Sequence, residues 1–195
     1  MVSNFRNALP RGWVTPLAIA LGKLGFTPNA LTILGLILSI IAGVVLSLGY
    51  MLWGGMLVLI AGLFDLMDGA LARHTQKASP FGAILDSTFD RYGEAAALLG
   101  LSVYYMAQGQ TLEVVLIYLA IVGSLMVSYV KARAEGLGFS CNVGLFTRPE
   151  RVFILALCLI IGQVEIGIWL LAIFANFTAI HRLLHVKSQM DKVAH

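Results

Sequence analysis

The sequence predicts an all-α integral membrane protein in which six transmembrane helices follow a short interfacial amphipathic helix. The chain has 195 residues, of which 59% are hydrophobic and 12% are charged, and its mean hydropathy is +0.88. These values lie far outside the range of soluble domains. Residues 30–64 contain no charged side chain. Because one bilayer crossing takes about 20 residues, this run predicts two helices with a turn at Gly49-Tyr50.

The N-terminal segment combines Trp13, Leu17 and Leu24 with basic residues, a pattern typical of a helix that lies on the membrane surface. A plain cytoplasmic tail is the alternative, and no cleavable signal is expected because no apolar run precedes a small-residue cleavage site. The six predicted crossings are 30–48, 51–74, 82–106, 111–134, 145–162 and 165–186. We expect one domain over 1–195, with 1–27 as the interfacial segment and 28–187 as the six-helix bundle.

The basic residues predict the orientation of this bundle. All 13 Lys and Arg residues fall at or near one side of it, whereas the connections at 49–51, 107–111 and 162–165 carry none. By the positive-inside rule, the basic side and both termini face the cytoplasm. The net charge of +3 reflects this bias and anionic substrates, and it gives no reason to invoke nucleic acid.

Four carboxylates interrupt the apolar sequence of the second and third predicted crossings. An ionised carboxylate in or at the edge of a membrane is costly unless it is paired or bound to a cation. Asp65 and Asp68 are three residues apart on one helix face, and Asp86 and Asp90 are four apart on the next helix. A helical hairpin that turns near Lys77 would bring the two pairs together, with the site open to the cytoplasm.

The donor chemistry of this cluster predicts a divalent metal site. Carboxylate oxygens suit Mg²⁺ or Mn²⁺ better than zinc, and four negative charges match two ions. Small residues at Gly69 and Ala72 would let a diphosphate approach, Arg73 could contact it, and Asp90 could act as a general base. An ion-coupled transporter is the alternative use of intramembrane acids, but it does not explain this spacing.

The same residues resemble a known family signature. DLMDGALAR (65–73) followed by FGAILDSTFD (81–90) fits D-x2-D-G-x2-A-R-x8-G-x3-D-x3-D at every fixed position, and this is similar to the CDP-alcohol phosphotransferases. The resemblance implies transfer of a phosphatidyl-type group from a CDP-linked lipid to an alcohol, with release of CMP. The implied metal ligands are Asp65, Asp68, Asp86 and Asp90.

The resemblance also implies a catalytic base, nucleotide contacts and an assembly. Asp90 is the implied base as well as a ligand. Within the signature and in the upstream segment TPNALT, the implied contacts to the CDP-lipid are Gly69, Ala72, Arg73, Asn29 and Thr32. A homodimer is implied by the resemblance only, and the lipid tails would lie between helices open to the membrane lipids.

The implied acceptor depends on three further stretches, SYVKARAEGLG (128–138), GLFTRPERV (144–152) and AIHRLLHV (179–186). They resemble the prokaryotic branch that joins inositol phosphate to CDP-diacylglycerol or to its archaeal ether-lipid counterpart, CDP-archaeol, in the cell membrane. The implied phosphate-binding residues are Lys131, Arg151 and Arg182, with Arg133 and Arg148 as further candidates. The positive-inside bias alone would also place cations there. Glycerol 3-phosphate or serine is the alternative acceptor.

Overall fold

The computed structural model describes residues 11–76 and 78–193, and within these ranges it contains seven α-helices and no strand. The helices are α1 (Arg11–Lys23), α2 (Pro28–Ser47), α3 (Met51–His74), α4 (Pro80–Ala107), α5 (Thr111–Gly136), α6 (Arg148–Ile160) and α7 (Val164–Val193). The all-helical prediction is confirmed. The six predicted crossings correspond to α2–α7, whose ends differ from those predicted by no more than a few residues at most termini.

By length and composition, four of the described helices could cross a membrane, namely α2, α3, α5 and α7. The structure therefore supports a membrane protein with several spanning helices. That the number of crossings is six stays a prediction. The helix α4 carries Asp86, Asp90, Arg91 and Glu94, and α6 has only 13 residues. Both helices nevertheless pack within the bundle, where their apolar faces contribute to the main hydrophobic core.

Two helices that frame the predicted site begin with the same local device. Thr27 precedes Pro28 at the start of α2, and its hydroxyl accepts a hydrogen bond from the Ala30 amide at 3.2 Å. Ser79 precedes Pro80 at the start of α4, and its hydroxyl accepts from the Gly82 amide at 3.0 Å. A hydroxyl cap followed by proline satisfies one of the free amides of the first turn and fixes where the helix starts.

The helix α2 lies between α3 and α4 along much of its length, and α3 and α4 make few direct contacts with each other. A Cβ atom at Gly43 or Gly100 would run into the backbone of the facing helix, so these glycines allow α2 and α4 to approach closely. The hairpin predicted around Lys77 is thus wedged open by α2. Lys77 itself lies outside the described residues, but the connection between α3 and α4 falls at 75–79.

The helix α1 packs against α3 through Ala18, which is buried with Leu31, Met67 and Leu71. Leu17 and Leu24 are exposed on other sides of this segment, as expected for an amphipathic helix whose remaining apolar surface meets lipid. Residues 1–10 of the predicted interfacial segment, and the side chain of Trp13, lie outside the described part of the chain. Its position on the membrane surface stays a prediction.

Candidate active site

The four carboxylates of the signature converge, as the spacing predicts. Asp65 and Asp68 project from α3, Asp86 and Asp90 project from α4, and Asp86 interacts electrostatically with all three of the others. Asp68 is 3% exposed, and the side chains of Asp65 and Asp90 are 15% and 13% exposed. The cluster therefore concentrates negative charge in a mostly buried position, where the charge needs compensation.

Residues of α2 line this cluster because α2 is wedged between the two helices. The Thr32 hydroxyl, itself buried, donates a hydrogen bond of 2.6 Å to Oδ2 of Asp68. A Cβ atom at Gly35 would lie 3.0 Å from Oδ1 of Asp65, so glycine leaves room for this carboxylate. Sequence comparison implied Thr32 as a nucleotide contact, and the structure adds that it orients Asp68.

A cation from a distant part of the chain bridges two of the acids. Nη2 of Arg148 lies 2.5 Å from Oδ2 of Asp65, and Nη1 lies 2.9 Å from Oδ1 of Asp90. Arg148 stands in the first turn of α6, so Asp65 and Asp90 face each other across its guanidinium group. The hydrogen-bond geometry is incomplete, because Oδ1 of Asp90 and Nε of Arg148 are both buried without a hydrogen-bond partner.

Within the described ranges, no three His, Cys, Asp or Glu side chains are arranged so that they could already hold a metal ion. The donor set nevertheless fits Mg²⁺ or Mn²⁺, since it consists of carboxylate oxygens from α3 and α4. The buried Oδ1 of Asp90, which has an ion pair with Arg148 but no hydrogen bond of regular geometry, is an oxygen that a metal cation would satisfy. In the structure, Arg148 supplies the positive charge that such an ion would bring.

The residues implied for the nucleotide lie at the same end of the bundle. Arg73 folds back over Gly69, where a Cβ atom would lie 3.3 Å from Nη1 of the guanidinium group. A Cβ atom at Gly82 would lie 3.2 Å from Oδ1 of Asn29, so the start of α2 meets the start of α4. Ala72 is half-buried and Arg73 is exposed. The small residues keep the approach to the cluster open.

The structure gives Arg151 internal partners for every nitrogen of its guanidinium group. Nε and Nη2 donate to the two carboxylate oxygens of Glu94 at 2.7 and 2.8 Å, and Nη1 donates to the Phe146 carbonyl at 3.1 Å. Arg151 is 1% exposed. Sequence reasoning missed this pair, although Glu94 continues the four-residue stripe of Gly82, Asp86 and Asp90 along α4.

Arg182 and Lys131 also contact the connection between α5 and α6. Arg182, 5% exposed, donates from Nε to the Val143 carbonyl at 2.8 Å and from Nη1 to the Val127 carbonyl at 2.6 Å. Lys131 is more accessible, with a 35% exposed side chain, and its Nζ lies 3.5 Å from Oδ1 of Asn142. Together with Arg151, these cations hold the 137–147 connection. Arg133 is exposed at the end of α5.

A small cavity of ≈ 20 Å³, partly open to solvent, lies beside the acid cluster. Its polar lining consists of Ser39, Asp65, Glu94, Arg148 and Arg151, and the rest of the lining is mostly apolar. The cavity thus joins the Arg148 bridge to the Glu94–Arg151 pair.

The chain is similar to a phosphatidylinositol phosphate synthase and to an archaetidylinositol phosphate synthase. It is 38% identical over 183 residues to the phosphatidylinositol phosphate synthase of Mycobacteroides abscessus, covering 89% of this chain and 83% of that protein. It is 36% identical over 172 residues to the archaetidylinositol phosphate synthase of Pyrococcus horikoshii, covering 88% and 89% of the two chains.

Solved structures agree with these relatives. The crystal structure of Mycobacterium tuberculosis phosphatidylinositol phosphate synthase with CDP-DAG bound superposes with a TM-score of 0.82 at 33% identity, covering 89% of this chain and 93% of that one. The same enzyme in complex with manganese and citrate gives a TM-score of 0.81, covering 89% and 88%. The family model described as CDP-alcohol phosphatidyltransferase matches residues 26–182. The expectation from the signature is therefore confirmed, and the chain belongs to the CDP-alcohol phosphatidyltransferase family.

Proposed function

We propose that the protein transfers a phosphatidyl-type group from a CDP-linked lipid to inositol phosphate. CMP is released, and the product is phosphatidylinositol phosphate or its ether-lipid analogue. The observation that carries this proposal is the convergence of the complete aspartate signature, in a chain similar to both bacterial and archaeal inositol phosphate lipid synthases. The donor is CDP-diacylglycerol or CDP-archaeol, since relatives of both kinds support it.

The donor half of the site lies between the starts of α2 and α4 and the end of α3. In the proposal, Asp65, Asp68, Asp86 and Asp90 hold one or two Mg²⁺ or Mn²⁺ ions. The nucleotide and its diphosphate contact the side chains and open backbone at Asn29, Thr32, Gly69, Ala72 and Arg73. The exposed Arg73 over Gly69 supports this arrangement, because a mobile guanidinium group is free to contact phosphate oxygens.

The proposed chemistry is a direct displacement at the phosphorus that carries the lipid. Asp90 accepts the proton of an inositol hydroxyl, the hydroxyl oxygen forms a bond to that phosphorus, and the bond to the CMP oxygen breaks. Divalent ions bound to the carboxylates would neutralise charge on the diphosphate and on the departing CMP. Arg73 contributes a permanent positive charge on the same side. Asp90 suits the role of base because its Oδ1 is held only by the ion pair with Arg148 and has no hydrogen bond of regular geometry.

The acceptor half involves cations from three helices. Lys131 is the best supported phosphate contact, because its ammonium group is accessible and its existing contacts are long. Arg182, Arg148 and Arg133 are further contacts in the proposal. Arg151 would have to leave Glu94 before it could reach a phosphate. Its proposed contact with the acceptor phosphate therefore competes with its ion pair inside the protein.

The proposal includes six crossings, with α4 and α6 completing the four helices that qualify by length and composition. The basic residues cluster at one side of the bundle, which supports a cytoplasmic active site and cytoplasmic termini in a prokaryotic cell membrane. The lipid tails lie between helices that face the bilayer, where many large apolar side chains are exposed. A homodimer is part of the proposal and is carried by the family alone.

An acceptor panel tests the function. The purified protein is incubated with Mn²⁺ and either radiolabelled CDP-diacylglycerol or CDP-archaeol, and then with inositol phosphate, glycerol 3-phosphate, serine or free inositol. We expect labelled product with inositol phosphate and little with the others. Product with glycerol 3-phosphate or serine alone would leave the chemistry intact and refute the acceptor. No CMP release with any acceptor would refute the enzymatic proposal.

A further inference from the structure

We propose that Arg148 competes with the metal ions for Asp65 and Asp90, so that metal binding must displace it. This inference rests on the proposed metal site. Arg148 bridges Asp65 and Asp90 at 2.5 and 2.9 Å, and these two acids belong to different helices. A guanidinium group in this position neutralises acids that would otherwise repel each other inside an apolar bundle.

The bridge has the features of a replaceable contact. Oδ1 of Asp90 and Nε of Arg148 are buried and have no hydrogen-bond partner, so the guanidinium group satisfies the site only in part. The contrast with Arg151, three residues along α6, is direct, since each of its nitrogens has a partner with regular geometry. The guanidinium group of Arg148 is therefore bound incompletely, whereas that of Arg151 is fixed.

Arg148 also borders a small cavity that is partly open. This cavity of ≈ 20 Å³ is lined by both Arg148 and Asp65, and the Arg148 side chain is 23% exposed, so its way out from the carboxylates leads toward the open side rather than into the bundle. The helix that carries it does not need to shift, because Arg151 anchors α6 to α4 through Glu94. A fixed backbone with a movable side chain is suited to exchange with an ion.

Competition of this kind makes a quantitative prediction about metal affinity. A metal that binds to Asp65 and Asp90 must first break two charge-assisted contacts to Arg148, each of which opposes binding. Removing the guanidinium group should therefore tighten Mn²⁺ binding by about tenfold or more, because one charge-assisted hydrogen bond is itself worth at least about that factor. Arg148 would then be a positioning residue that sets metal affinity.

The test measures Mn²⁺ binding to the full-length protein in detergent by electron paramagnetic resonance, without substrates. We expect Arg148→Gln to bind Mn²⁺ most tightly, Arg148→Lys to be intermediate, and the unaltered protein to be weakest. Lys187→Gln, which removes an exposed cation on α7, should match the unaltered protein. Mn²⁺ should also raise the melting temperature of Arg148→Gln more than that of the unaltered protein.

Equal or weaker Mn²⁺ affinity in Arg148→Gln would overturn the inference, as would a similar gain in Lys187→Gln. If Arg148→Gln does not fold, the ranking of Arg148→Lys against the unaltered protein decides the question. Asp86→Asn separates this from the function itself. If the unaltered protein binds Mn²⁺ no better than Asp86→Asn, then the proposed metal site fails. If binding depends on Asp86 but not on residue 148, only the inference fails.

Discussion

The acidic and basic halves of the site differ in how fully the protein satisfies its own charges. On the acidic side, Thr32 donates to Asp68, and Arg148 bridges Asp65 and Asp90 with incomplete hydrogen-bond geometry. Arg91 adds only a longer contact of 3.8 Å to Asp90. On the basic side, the buried Arg151 and Arg182 donate to internal acceptors with regular geometry. The carboxylates therefore lack part of their positive counter-charge, whereas the buried arginines have most of their hydrogen bonds.

This difference indicates which charges are available to a ligand. A carboxylate cluster that is short of positive charge will gain from a bound cation, whereas a guanidinium group with complete hydrogen bonds must lose some of them to bind an anion. Whether a charged side chain can bind a ligand therefore depends less on its position at the predicted cytoplasmic face than on whether its hydrogen bonds and ion pairs are already complete. Lys131, with long and exposed contacts, belongs with the available charges.

The largest expected effect breaks the acidic half. Asp86→Asn should reduce the rate of CMP release by about a thousandfold or more. The substitution removes a ligand from metal ions that lower the free energy of the charged transition state by several kcal/mol. The assay is release of CMP from CDP-lipid by protein that elutes as a folded species in detergent. Asp191→Asn, an exposed acid near the end of α7, is the matched control and should retain activity. Retained turnover in Asp86→Asn, or in protein stripped with EDTA, would contradict the metal role.

The second effect tests whether the basic half is structural. Glu94→Gln should lower the free energy of unfolding by about 3–5 kcal/mol, because it leaves Arg151 buried without its counter-charge. Thermal unfolding in detergent measures this, with the exposed Glu165→Gln as control. If Arg151→Ala instead leaves the melting temperature unchanged and raises only KM for inositol phosphate, then Arg151 is an acceptor contact and the contrast between the halves is wrong.

A third effect sharpens the contrast within the basic half. Lys131→Ala should raise KM for inositol phosphate roughly 10- to 150-fold, which corresponds to the loss of one charge-assisted contact of about 1.5–3 kcal/mol. Steady-state kinetics with each substrate varied in turn provide the measurement. Arg73→Ala is the converse variant and should change KM for the CDP-lipid instead. If Lys131→Ala leaves KM for inositol phosphate unchanged, then Lys131 contributes only to the orientation of the protein in the membrane.

The smallest effect concerns the hydrogen bond that reaches the acids from α2. Thr32→Val keeps the size of the side chain but removes the donor to Asp68, so we expect kcat/KM for the CDP-lipid to fall by about tenfold. Thr32→Ser restores the hydroxyl group and should recover most of the loss. A Val variant as active as the Ser variant would show that Asp68 does not need this donor.

The acidic half was predictable because its information is local. The i, i+3 and i, i+4 spacings of the aspartates place them on helix faces, and the long charge-free runs predict the helices themselves. The wedge of α2 between α3 and α4 was not predictable in this way, since it depends on which glycine surfaces meet. The family resemblance supplied Thr32 and Asn29, but not the hydrogen bond from Thr32 to Asp68.

The basic half shows why sequence reasoning stops short. Arg148 and Arg151 lie one helical turn apart on α6, and nothing in their local sequence distinguishes a bridge to Asp65 from a pair with Glu94. That difference arises from the register of α6 against α3 and α4. Glu94 was the available signal, because an acid so deep in an apolar helix requires a partner.

The hydrogen bond between Thr32 and Asp68 has a consequence for how the chain enters the membrane. The helix α2 is synthesised before α3, so a hydroxyl donor is already in place when the two acids of α3 arrive. The two helices can then enter the lipid as one hairpin, in which the Asp68 carboxylate of α3 already accepts a hydrogen bond from Thr32 of α2. We expect insertion of α3 to become inefficient when α2 is deleted, more so than its own hydropathy would suggest.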